Sequence, residues 1–144
     1  LTIRELRERS NAFVSNLDSH IASIVNFNVD LEELNRKQLR ESKLADGKPI
    51  TRPYSRRYAM WKQFYYPQSF TGKVNLFLTG TLYESLEIRA KGKNEYSINT
   101  DVPYAGDLYD KYGNFLGIAP ENYPEAQEIT SNLLAEKYKQ LVFK

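Results

Sequence analysis

The chain has 144 residues, 41% hydrophobic and 26% charged, enough for one domain to bury a core without staples. It has no cysteine and a single histidine, which excludes a disulfide scaffold, thiolate zinc and a cysteine nucleophile. Mean hydropathy is −0.60 and no run approaches the ~20 apolar residues of a membrane span, so no membrane partner is expected. The N-terminus is charged and amphipathic, without the apolar stretch of a signal peptide.

Net charge is only +2, but it is unevenly spread. Residues 36–62 hold nine Lys/Arg against Glu41 and Asp46, and residues 95–136 hold eight acids against Lys111. Such polarity steers a chain towards charged partners or towards copies of itself, unless both runs are simply solvated faces.

In chain order, Thr2 to Asn26 reads as one long helix. Thr2 and Glu5 have capping-box spacing, and Leu6, Phe13, Leu17, Ile21 and Ile24 mark one face. Asp30 with Glu33 opens a second helix through Leu31, Leu34 and Leu39, ending near Ala45 where Asp46-Gly47 turns the chain. Residues 49–72 carry Pro49, Pro53 and Pro67 and seven aromatics, with a short helix expected at Ser55–Phe64 and irregular chain after it. Residues 76–81 fit either a strand or a first helical turn. Leu82, Leu86 and Ile88 share one parity against Tyr83, Glu87 and Arg89, the period of a half-buried strand. A turn at Lys91–Asn94 and the alternation of Tyr96, Ile98 and Thr100 complete an antiparallel hairpin. Pro103 fits the first position of a helix over Tyr104–Tyr112, stopped by Gly113. Phe115–Ile118 fits an edge strand. A last helix starts near Pro120 or Pro124 and runs to Val142, with Ile129, Leu133, Leu134, Tyr138, Leu141 and Val142 on its apolar side. Acids at its start and lysines at its end offset the helix macrodipole.

The expected fold is α+β: a long N-terminal helix, a central antiparallel sheet with a hairpin, and a flanking C-terminal helix. Residues 1–144 read as one domain in three parts: helical 1–47, an aromatic and basic loop or arm 48–73, and sheet plus C-terminal helix 74–144.

Chemistry-bearing patterns are scarce. His20 lies inside the first helix beside its apolar face, where packing explains it better than base catalysis. Asp101, Asp107 and Asp110 lack the spacing of a calcium loop. Thr71-Gly72-Lys73 resembles the end of a phosphate-binding loop, but Pro67 and Val74 stand where the motif needs Gly and Ser or Thr. No nucleophile elbow occurs. Neither a catalytic set, a metal site nor a cofactor is expected. The basic aromatic segment 36–66 has two readings. In one, its rings are core and its charges rim. In the other, it is a nucleic-acid-binding module whose cations neutralise phosphates and whose rings stack on bases.

Several pieces together resemble the virion morphogenesis, or tail-completion, proteins of the tailed-phage head–tail joining region. They are Gln38-Leu39-Arg40 to Asp46-Gly47-Lys48-Pro49-Ile50, then Tyr54-Ser55 and Tyr58-Ala59 with Lys62. Leu78-Thr79-Gly80-Thr81-Leu82-Tyr83-Glu84-Ser85-Leu86 follows, then Tyr104-Ala105, Tyr112-Gly113, and Phe115-Leu116-Gly117-Ile118 with Glu121. The order and spacing of these pieces carry the resemblance over about residues 36–142. One departure is that Leu108 stands where many relatives have a His followed by Gly.

The resemblance implies a non-enzymatic virion protein, assembled in the bacterial host cytoplasm. It would form a homo-oligomeric ring at the neck or tail end, against neighbouring phage neck or tail proteins. A basic lumen facing DNA would suit segment 36–62. On this reading Tyr54, Tyr58, Trp61, Phe64, Tyr65 and Tyr66 are the packing anchors between subunits. Arg52, Arg56 and Arg57 are contacts to DNA or to an acidic neighbour.

Overall fold

Two helices, not one, open the computed structural model, which describes residues 1–92 and 95–144. α1 (Ile3–Ser15) begins with the expected capping box: Thr2 Oγ1 accepts the Glu5 N–H at 3.1 Å, and the Glu5 carboxylate accepts the Thr2 N–H at 2.7 Å. The helix breaks at Asn16, whose side-chain amide donates to the Ala12 carbonyl at 3.0 Å. A side chain that satisfies the backbone locally competes with helix continuation. The break lets α1 and α2 (Leu17–Val25) both lie against the C-terminal helix α7 (Tyr123–Val142). Phe13 fills the junction, stacked on His20 at 4.4 Å and edge-on to Tyr138 at 5.1 Å. His20 is a packing residue.

α3 (Val29–Arg40) starts two residues earlier than the sequence indicates. Its cap is Asn28, whose Oδ1 accepts the Leu31 N–H at 3.0 Å, while Asp30 sits in the first turn. It ends at Arg40 rather than near Ala45, because Ser42 turns the chain at φ 61° and Lys43 pairs antiparallel with Pro49. α3 is the central element. Leu31, Leu34 and Leu39 meet Leu86, Ile88, Ile98 and Phe115 in the main core.

The sheet has two antiparallel strands, β1 (Glu87–Ala90) and β2 (Tyr96–Asn99), in register at Ile88 and Ile98. The predicted first strand therefore loses its opening residues. Thr81–Glu84 forms one helical turn, α5, entered from Gly80 at φ 95°, a conformation that suits glycine. Tyr83, expected on the exposed parity, is 4% exposed, and its hydroxyl donates to the Asn75 carbonyl at 2.5 Å. Part of the predicted Lys91–Asn94 turn, Lys93 and Asn94, lies outside the described residues.

The predicted strand at 115–118 does not form. Amide side chains of α3 take the place of a neighbouring strand. Asn35 donates to the Phe115 carbonyl at 2.9 Å and accepts the Gly117 N–H at 3.0 Å. Gln38 donates to the Gly117 carbonyl at 2.9 Å and accepts the Ala119 N–H at 2.7 Å. Glycine suits position 117, where φ is 149° and a Cβ would lie 3.0 Å from that of Ala45. α6 (Ala105–Tyr112) ends at Gly113 as expected but begins after Tyr104, so Pro103 precedes it. A 3₁₀ turn, Pro120–Asn122, leads into α7, with Pro124 in its first turn. Val142 is fully buried on α7, whereas Leu141, expected beside it, is 49% exposed. Among the described residues no helix is long and apolar enough to cross a membrane.

Candidate functional site

The aromatic segment forms α4 (Arg56–Tyr65), one residue later than predicted, with Ser55 as cap: its Oγ accepts the Tyr58 N–H at 3.2 Å. A 3₁₀ turn, Pro67–Ser69, follows. Only one of the ten α4 residues is buried, and it is Lys62. Its Nζ donates to Asn75 Oδ1 at 2.8 Å and to the Tyr54 hydroxyl at 3.4 Å, and lies 4.8 Å from the Tyr54 ring centroid. Tyr54 also accepts the Leu76 N–H at 2.9 Å, pinning a bulky residue in the left-handed region at φ 54°. Asn75 Nδ2 donates to the Ser69 carbonyl at 3.1 Å. Polar bonds from one lysine, one tyrosine and one asparagine thus seat α4 on the body, with Tyr54 edge-on to Tyr112 at 6.1 Å as the main ring contact.

These groups feel the burial. With no carboxylate beside it, the Lys62 amine is pushed down to about 8 by desolvation, and the Tyr54 hydroxyl is pushed up to about 12 by the same cause. Burial also raises Tyr58, Tyr83 and Tyr112. A neutral amine is a nucleophile, but Lys62 is 1% exposed behind Tyr54, so it acts as a tether. Among the described residues no three His, Asp or Glu side chains gather as a metal ion would need.

The outward side of α4 is the reverse of a normal helix face. Arg57, Met60, Trp61 and Phe64 fall at i, i+3, i+4 and i+7, roughly opposite Lys62. Phe64 is 78% exposed, Tyr65 63%, Met60 62% and Trp61 41%. The rings run as a continuous network: Tyr54 to Tyr58 at 5.0 Å, Tyr58 to Trp61 at 5.8 Å, Trp61 to Tyr66 at 5.4 Å and to Tyr65 at 5.7 Å, and Tyr65 to Phe64 at 5.0 Å. The six predicted anchors therefore divide. Trp61, Phe64 and Tyr65 are available to a partner. Tyr58 and Tyr66 are half-buried beneath them, and Tyr54 is taken up inside the chain.

The basic run divides too. Arg36 is paired with Glu32 and Glu33 and donates to the Tyr83 carbonyl at 2.8 Å, Arg40 is paired with Glu33, and Lys43 with Glu41 and Glu121. Arg52, Arg56 and Arg57 are exposed and have no ion pair among the described residues. No acid stands between Asp46 and Glu84 to neutralise them.

Beside α4 lies an apolar groove of about 470 Å³ between the 76–82 segment and α6, walled by Tyr54, Phe77, Leu108 and Tyr112. Sequence reasoning missed both the groove and the Lys62–Asn75 tether. Lys62 looked like one more member of a basic run, and an isolated Asn75 carries no pattern. No family model, no curated protein and no solved structure matches this chain.

Proposed function

We propose that this chain is a non-enzymatic structural protein of a tailed-phage or prophage virion. It forms a ring through subunit interfaces at the head–tail joining or tail-completion position. The observation that carries the reading is α4: a helix tethered by one buried lysine that turns Met60, Trp61 and Phe64 towards solvent. Large exposed rings beside free arginines are the composition of an interface core, not of an ordinary solvated face. The ordered motifs over residues 36–142 supply the virion context.

Light scattering across a concentration series, at low and high salt, tests it. The expected result is a discrete oligomer, or a concentration-dependent climb towards one. Trp61→Ala is expected to stay a folded monomer under the same conditions. Wild-type protein that remains monomeric throughout overturns the self-formed ring, and a Trp61→Ala chain that assembles normally removes Trp61 as an anchor.

A second reading has its own observation. Arg52, Arg56 and Arg57 have no ion pair among the described residues and lie next to rings on which bases can stack. It predicts binding to generic DNA at low salt that falls steeply as salt rises. No binding at low salt removes it.

A further inference from the structure

We propose that a cleft of about 390 Å³ between the 41–54 and 70–74 segments binds a small aromatic anion that carries a hydrogen-bond donor at its other end. The volume lies within the range of about 300–1,000 Å³ that small-molecule sites occupy. The cleft shares only Tyr54 with the groove beside α6, and from α4 it takes only Ala59. It is separate from the outward stripe of α4 and does not depend on the ring reading.

Ser42 carries the argument. Among the described residues seven polar or charged ones are buried. The side chains of Glu32, Asn35, Gln38, Lys62, Ser69 and Asn75 are all hydrogen-bonded within the chain. Ser42 is 5% exposed, and its hydroxyl makes no hydrogen bond among the described residues. Its backbone is satisfied, by the Leu39 carbonyl at 3.0 Å and the Ile50 N–H at 2.8 Å, so only the hydroxyl is left over. Every side-chain N or O sealed from solvent has a partner, so the Ser42 hydroxyl is not sealed. It opens on the cleft that Ser42 lines. A polar group this deep in a fold ordinarily has a partner, and a ligand would supply one. The residue sits at φ 61°, where glycine would be easier, so a serine is held there against local preference.

The lining gives the ligand its two ends. Its charged residues are Lys73 and Glu41. Lys73 is exposed and has no ion pair among the described residues, so it is matched by an anionic group. Glu41, next to Ser42, is paired with Lys43 at 3.4 Å, but Lys43 is shared with Glu121 at 3.3 Å. That end therefore keeps acceptor character and is matched by an N–H or O–H. Between the ends the walls are apolar: Ile50 and Val74 are buried, and Phe70 and Pro53 complete them. A flat ring suits such walls. Thr71-Gly72-Lys73 lacks the spacing of a phosphate loop, yet it has a place here. Gly72 turns at φ 81° with nothing within 4 Å of where a Cβ would stand, which leaves the cleft open beside Lys73.

The test titrates the full isotope-labelled chain with para-hydroxybenzoate and follows the backbone amides by two-dimensional NMR. Saturable shifts are expected at Ser42, Thr51, Gly72 and Lys73. Benzoate, which lacks the donor, and para-cresol, which lacks the anion, are each expected to bind about tenfold more weakly. Lys73→Gln is expected to weaken para-hydroxybenzoate about tenfold and to leave para-cresol unchanged. Ser42→Gly removes the hydroxyl at a position that suits glycine. It is expected to weaken para-hydroxybenzoate while leaving benzoate unchanged and the urea midpoint no lower than in the wild type, which a purely structural serine would not do. The proposal is overturned if para-hydroxybenzoate does not saturate, or if its shifts fall on Trp61 and Phe64 instead of the cleft. It is equally overturned if para-cresol binds as tightly, or if either substitution leaves the affinity for para-hydroxybenzoate unchanged.

Discussion

α3 and α4 are helices of similar length whose relation to burial is inverted. α3 buries polar side chains: Asn35 and Gln38 are fully buried and Glu32 nearly so. α4 exposes Met60, Trp61 and Phe64 and buries a lysine. The difference is partners. Every buried side-chain N or O among the described residues has a hydrogen bond. α3 supplies those bonds to backbone that would otherwise be orphaned: the Ile88 N–H to Glu32 at 2.9 Å, and the 115–119 segment to Asn35 and Gln38. Polarity does not keep a residue outside when a donor or acceptor waits inside. Among the described residues no apolar surface covers the α4 stripe, and Met60, Trp61 and Phe64 stay open.

The sharpest way to break this contrast is at Gln38. Its side chain holds the Gly117 carbonyl, the Ala119 N–H and the Asn122 amide, the last at 2.9 Å. Gln38→Met keeps the volume and removes every bond. Orphaned buried groups cost about 1–3 kcal/mol each, so a loss of about 3–4 kcal/mol in urea unfolding is expected. That is a large part of the total stability of a domain this size. A loss under about 1 kcal/mol would mean that the 115–119 segment is held by packing alone.

Lys62 sharpens the other side. Its folded-state value of about 8 lies below the ordinary 10.5. Between those values the unfolded chain holds a proton that the folded chain has shed, so stability rises with pH. Lys62 alone contributes a gain of about 2 kcal/mol from pH 8 to 10, which the Lys62→Met difference isolates. Above pH 10 the sign reverses. Tyr54, held up to about 12, keeps its proton in the folded chain after the unfolded chain loses its own, and Tyr58, Tyr83 and Tyr112, raised by burial as well, act with the same sign. Stability then falls, leaving a maximum near pH 10. Lys62→Met is expected to abolish the rise while keeping the fold, since the Asn75 oxygen still accepts the Phe77 N–H at 3.1 Å. Urea midpoints of both proteins from pH 7 to 11 check it. A flat wild-type profile would mean that the amine reaches water.

How much of this the sequence disclosed follows from the range of each interaction. Helices with local signals were readable: the Thr2–Glu5 box, the short helix expected at Ser55–Phe64, and α7 from its apolar spacing. The hairpin's core pair, Ile88 with Ile98, was readable from alternation. Failures came where distant groups decide. Phe115–Ile118 looks like a strand, but its hydrogen bonds go to side chains about 80 residues earlier. Leu82 and Tyr83 fit a strand parity, but both are buried, and the Tyr83 hydroxyl is fixed by the Asn75 carbonyl. The site was half legible. An aromatic cluster with arginines is visible in any window, whereas the tether that orients it, and the ion pairs that remove Arg36, Arg40 and Lys43 from the free charge, are tertiary.

The smallest expected effect is also the most discriminating. Phe64 is 78% exposed, so Phe64→Ser removes almost no surface that folding buries. In dilute protein the urea midpoint should stay within about 0.5 kcal/mol of wild type. The same substitution in a packed core would cost several kcal/mol. Concentration separates the two roles of the ring. An interface adds stability by mass action, so the wild-type midpoint is expected to climb as protein is added and the Phe64→Ser midpoint is expected not to. A loss above about 1.5 kcal/mol that does not depend on concentration would place Phe64 against its own chain in solution. The inversion between α3 and α4 would then be wrong at its most exposed residue.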